Sequence, residues 1–116
     1  MAVDYITSLS KNGLTDWLYQ RATAIVLALY TIFFAGFLIG SPEITYATWS
    51  HLFAATWFKV FTLATVISVA VHSWVGMWGI LTDYVKPNGL RLLLQMLVIF
   101  VCLIITLWCL LILWGA

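Results

Sequence analysis

Three stretches of this chain are each long and apolar enough to cross a lipid bilayer, and that pattern restricts the fold more than any other feature. A membrane helix needs about 20 mostly apolar residues, each rising about 1.5 Å, to span a hydrocarbon core of about 30 Å. Runs at about 22–39, 57–82 and 90–114 qualify. Gly40-Ser41-Pro42 closes the first; Asp83 and then Pro87-Asn88-Gly89 separate the second from the third. Both prolines therefore fall between runs, where helix breakers belong. The five Lys and Arg and four Asp and Glu lie outside the runs or at their ends. At 8% charged, against roughly 25% in soluble domains, the chain cannot cover a water-facing surface. The expected fold is all-α: an integral membrane protein of three transmembrane helices, forming a single membrane-anchor domain over residues 1–116. A chain this small and this apolar is expected to work as one subunit of a larger complex. A net charge of +1 without a basic cluster argues against nucleic acid as a partner.

Basic residues in short flanks set orientation. Lys11 and Arg21 precede the first run, and Lys86 and Arg91 lie around the second connection, while the other side has only Lys59. This bias puts the N-terminus in the cytoplasm and the C-terminus in the periplasm. Trp17, Tyr19, Trp49, Trp57, Tyr84 and Trp114 fall near the expected interfaces, as an aromatic belt does. The first twenty residues read as an amphipathic lead-in, with a turn at Ser10-Lys11-Asn12-Gly13. Thr15 or Asp16 is a candidate cap for the helix that follows. The segment from Ser41 to Thr56 has room for a short interfacial helix starting near Thr45.

The second run carries the most information. On a wheel turning about 100° per residue, Phe58, Phe61, Thr65, Ser68, Gly76, Gly79 and Asp83 share the face of His72. The opposite face holds Leu63, Ile67, Ala70, Trp74, Met77 and Leu81. The bulky face suits lipid, and the small, polar face suits protein or a cofactor. An ionisable residue inside a membrane is costly unless partnered. Two readings of His72 follow: a hydrogen bond to a neighbouring helix, or a ligand position. The two glycines, one and two turns away, leave room for a flat group on the ring nitrogen. A neutral imidazole in apolar surroundings is a good haem axial ligand, and this moves the reading toward a ligand. A second axial histidine must then come from a partner chain, because His51 lies in the connection between the first two runs.

On the first run, Arg21, Ala24, Ala28, Thr31 and Ala35 form a stripe of small residues with a cation at one end. Arg21 is able to meet a carboxylate such as a haem propionate, although taken alone it reads better as an ordinary positive-inside anchor. Tyr84 beside Asp83 at a membrane boundary is suited to hydrogen bonding and proton relay; a belt tyrosine beside a helix-end charge is the plainer alternative. In the third run Gln95 is a candidate for a bond across helices. Cys102 and Cys109, two turns apart, read as packing residues.

Taken together, Arg21-Ala-Thr-Ala-Ile-Val-Leu, His72-Ser-Trp-Val-Gly-Met-Trp and Leu81-Thr-Asp-Tyr-Val-Lys-Pro closely resemble the succinate dehydrogenase hydrophobic membrane anchor subunits. These are the small cytochrome b subunits of respiratory complex II. The resemblance covers about Lys11 to Gly115 and rests on all three segments at these spacings. It implies a multi-pass protein of the bacterial inner membrane that takes part in electron transport to ubiquinone within the tricarboxylic acid cycle and aerobic respiration. It implies haem b, shared with a second membrane anchor subunit (the cytochrome b large subunit), with His72 as an iron ligand and Arg21 near the propionates. It implies a ubiquinone site with Tyr84 on a quinone carbonyl and Asp83 beside it. It also implies an iron–sulfur subunit and a flavoprotein subunit that oxidises succinate. The alternative is a haem-free, quinone-binding anchor of a fumarate reductase. A small transporter subunit is a further class, but it would need several intramembrane polar groups along a path, and one stripe ending at His72 does not make one.

Overall fold

A computed structural model of the chain describes residues 13–115. Four helices follow one another: α1 (Gly13–Gly40), α2 (Tyr46–Ala54), α3 (Thr56–Tyr84) and α4 (Asn88–Gly115). There is no strand among the described residues. α1, α3 and α4 are long and apolar enough to cross a membrane, as the sequence predicts. Each outruns its apolar run, because polar residues at a run's edge continue the helix without interrupting its backbone bonds. Twenty-eight residues span about 42 Å at 1.5 Å each, so the helix ends extend past a hydrocarbon core of about 30 Å.

Local chemistry accounts for the ends. Ser41 Oγ donates to the Phe37 carbonyl at 2.7 Å, satisfying one of the carbonyls that the end of α1 leaves unpaired. Thr45 is the N-cap of α2; its side-chain oxygen accepts from the Thr48 N–H at 3.1 Å. The short helix expected near Thr45 is therefore present. A single extended residue, Ala55, joins α2 to α3. Val85 ends α3 in extended geometry, and Pro87 follows two residues later, pushing its predecessor away from helical angles. α4 restarts at once, with the Arg91 N–H donating to the Pro87 carbonyl at 2.9 Å.

The expected capping role of Thr15 or Asp16 is not realised. α1 begins at Gly13, so both residues sit inside its first turn, where the Asp16 carboxylate complements the positive end of the helix dipole. The lead-in before Gly13 and most of the expected turn at Ser10–Gly13 lie outside the described residues.

α3 is the central helix, packed on α1 along one side and on α4 along the other. This corrects in part the expectation that its bulky face meets lipid: Ile67 and Met77 stay exposed, but Ala70 and Trp74 meet α4. Ile67, Ala70 and Trp74 line a cleft with Ile99, Cys102 and Leu103 of α4, and Leu81 is buried. The thiol of Cys102 contacts the Ala70 carbonyl at 3.7 Å. Lipid and a neighbouring helix are equally apolar, so a bulky face does not reveal which of them covers it. The Gln95 carboxamide donates to Thr82 Oγ1 at 3.3 Å across the same seam, as the sequence predicts. Within the spans, Thr31, Thr65 and Thr106 donate back to carbonyls four residues earlier, which satisfies hydroxyls that lipid cannot.

The tightest packing lies at the α2 end. Phe58 is fully buried among Tyr30, Phe33 and Phe34 of α1, Phe53 of α2 and its neighbour Trp57, with ring centroids 5.0–6.4 Å away. The hydroxyls of Tyr30 and Thr62 hydrogen-bond at 2.9 Å beside it. Phe58→Ala is expected to cost about 3 kcal/mol, the low end of the range for aromatic truncation. The low end applies because between membrane helices the loss is one of contacts and cavity, with little hydrophobic term. A lowered thermal midpoint in detergent, with unchanged helix content, would confirm it.

Candidate functional site

At the opposite end of the α1–α3 pair, the described residues of the first turns of α1 and the last turns of α3 flank a groove of about 450 Å³. Asp16, Trp17 and Gln20 line it from α1; Gly76, Gly79, Asp83 and Tyr84 line it from α3. The site thus arises from two facts of the sequence. Small residues at 76 and 79 remove bulk from the last turns of α3, and α3 runs on past its apolar stretch to carry Asp83 and Tyr84 to the rim. A Cβ at Gly79 would meet nothing within 4 Å, whereas one at Gly76 would come 3.3 Å from Gln20 Nε2. So the Gln20 side chain of α1 reaches over Gly76, while the space at Gly79 stays open.

Tyr84 is 79% exposed, so its hydroxyl is available to a molecule entering the groove or to an adjoining surface. Asp83 is exposed beside it; its backbone carbonyl accepts from Lys86 Nζ at 3.0 Å, which brings a cation to the same rim. Arg21 is exposed and lies over the Trp17 ring, 5.3 Å from its centroid, a cation–π contact. Trp17 in turn forms a wall of the groove. Three of the four residues singled out in the sequence therefore gather at one end of the molecule.

The fourth, His72, is half-buried on α3 and does not line the groove. Its Nδ1 lies 3.2 Å from Thr23 Oγ1 on α1. This is the hydrogen bond to a neighbouring helix that the sequence allows, and it occupies one ring nitrogen. No group among the described residues hydrogen-bonds the other, Nε2. The two readings of His72 are thus compatible: one nitrogen tethers the ring and the other has no partner among the described residues. That donor chemistry fits an axial haem ligand, which needs a neutral imidazole held in orientation by its second nitrogen. Among the described residues no three His, Cys, Asp or Glu cluster as a metal site. A metal bound at His72 would thus draw its remaining ligands from a macrocycle or from another chain.

A family model described as the succinate dehydrogenase/fumarate reductase transmembrane subunit matches residues 6–107. The chain belongs to that family. It is 38% identical over 114 residues to a succinate dehydrogenase hydrophobic membrane anchor subunit from Coxiella burnetii, covering 98% of this chain and 99% of the relative. Anchor subunits from Rickettsia typhi and Rickettsia prowazekii are 32% and 31% identical, each over 84% of this chain and 78% of the relative. Membership and three membrane-spanning helices together make this transmembrane subunit a multi-pass protein of the bacterial inner-membrane type.

In this transmembrane subunit, three site residues escape the sequence reading: Asp16, Gln20 and Thr23. They follow one another at intervals of four and three, the spacing of one helix face, and that interval was the available signal. The stripe singled out instead, Arg21, Ala24, Ala28, Thr31 and Ala35, is mostly exposed and turns away from α3. His51 is exposed on α2, and Cys102 and Cys109 are half-buried thiols outside any disulfide.

Proposed function

We propose that this chain is the haem-b-bearing small anchor of a succinate:ubiquinone oxidoreductase, contributing half of a shared haem site and one wall of the ubiquinone site. The observation that carries the reading is the groove in which Tyr84 and Asp83 stand together against Trp17. Quinone reduction adds two electrons and two protons, and negative charge develops on the carbonyl oxygens. Tyr84 donates a hydrogen bond to one of those oxygens, and its strength grows as the charge builds. Asp83, with Lys86 drawn to the same rim, supplies a route for protons from the aqueous side. Trp17 and the open surface at Gly79 provide flat apolar contacts for a ring. The electrons come from an iron–sulfur subunit docked at this end, fed by a flavoprotein subunit that oxidises succinate.

His72 would hold the haem iron through Nε2, a residue of the larger anchor would supply a further ligand, and Arg21 would meet the propionates. Bound there, haem b supplies a one-electron redox centre between the two anchors. By the charge bias of Lys11, Arg21, Lys86 and Arg91 against Lys59, the groove faces the cytoplasm and the C-terminus the periplasm.

The test is to purify the complex containing this chain, follow succinate-driven reduction of a short-chain ubiquinone, and record its reduced-minus-oxidised spectrum. Turnover together with a b-type band is the expected result. Quinone turnover without any b-type band would replace this reading with the haem-free fumarate reductase type of anchor. Neither activity nor band would end both.

A further inference from the structure

The Thr23 hydroxyl stands among three acceptors or potential partners. It lies 2.6 Å from the Tyr19 carbonyl, 3.2 Å from the Gln20 carbonyl and 3.2 Å from His72 Nδ1. A hydroxyl has one proton and two lone pairs. The two carbonyls only accept, and the shortest of the three contacts is to Tyr19, so the proton goes there. This is the back-bond to the preceding turn that threonine makes inside helices. With its proton committed, Oγ1 has only lone pairs to offer the imidazole. The 3.2 Å contact then requires a proton on His72 Nδ1. A neutral imidazole protonated at Nδ1 has its free lone pair at Nε2.

We infer that Thr23 is a positioning residue: by accepting from His72 Nδ1 it selects the tautomer and fixes the ring plane that present Nε2 to iron. This rests on the haem reading above but assigns a role within it to a residue on another helix. Partners of this kind, on the far nitrogen of a ligating histidine, orient the ring and raise its basicity. A more basic imidazole favours ferric iron, so losing the acceptor raises the midpoint potential. Because the Tyr19 carbonyl orients the hydroxyl, α1 acts on the ligand through its backbone as well as its side chain.

Redox titration of the haem in the assembled complex, for wild type, Thr23→Val, Thr23→Ala and Thr23→Ser, decides the matter. Thr23→Val and Thr23→Ala both lack the hydroxyl, differ in bulk and guard against either failing to assemble. Each is expected to have a higher midpoint potential than wild type, while Thr23→Ser, which retains the hydroxyl, titrates like wild type. An unchanged potential in an assembled hydroxyl-free variant would overturn the inference, and so would an equal shift in Thr23→Ser. A wild-type complex without a b-type band would instead remove the haem reading itself, an outcome separate from either.

Discussion

His72→Ala is expected to abolish the b-type haem band of the assembled complex, reducing it to the baseline of the difference spectrum. Alanine leaves no nitrogen at the only intramembrane position that offers one suited to iron, and the sole other imidazole, His51, is exposed on the short helix α2 at the far end of α3. Succinate-driven ubiquinone reduction is expected to survive the same change. Tyr84 lies twelve residues beyond His72 on one continuous helix, about 18 Å along its axis, and the groove does not include His72. A full band in His72→Ala would show that iron is held elsewhere. A lost band accompanied by lost turnover in an intact assembly would mean that the two sites are not separable.

Tyr84→Phe is the second large effect. It keeps the ring and removes only the hydroxyl. A hydrogen bond to a charged or charging oxygen contributes about 1.5–3 kcal/mol, and each 1.4 kcal/mol is a factor of about ten. The expected loss in kcat/KM for ubiquinone is therefore about ten- to a hundredfold. Because the bond strengthens in the transition state, kcat should fall with it. Succinate oxidation with a soluble acceptor, which bypasses this chain, should be unaffected, as should the haem spectrum. An undiminished kcat/KM in Tyr84→Phe would remove the hydroxyl from the quinone site.

Much of the architecture is legible in the amino-acid sequence. Apolar length gives three spans, Ser41-Pro42 and Pro87 separate them, and Thr45 marks a short helix, because each rests on a local rule: length against bilayer thickness, or cap and breaker chemistry. Gln95 is readable for a related reason, since a buried carboxamide must find a partner. Relations between helices are not legible in the same way. Ile67, Ala70 and Trp74 face α4, but nothing in their chemistry distinguishes a helix from lipid. Asp16, Gln20 and Thr23 matter because α1 turns that face, and not its alanine stripe, toward α3. This choice is made by the phenylalanines at 33, 34 and 58, which interlock far from the groove. His72 stands out because an imidazole is conspicuous in a membrane, while its tether is an ordinary threonine distinguished only by proximity.

The aromatic knot around Phe58 and the groove at Tyr84 occupy opposite ends of α3, 26 residues apart or about 39 Å along one helix. Effects of changes so widely separated tend to add independently. The rings packed around Phe58 hold α1 to α3 at the end where no chemistry is proposed, while the Thr23–His72 contact holds them nearer the groove. Under the proposed reading, the rim around Tyr84 can vary to suit a different ring or docking face while the knot at Phe58 keeps that end of the helix pair together. Changes at Phe58 therefore bear on durability and changes at Tyr84 on turnover, whereas Thr23 and His72 bear on both.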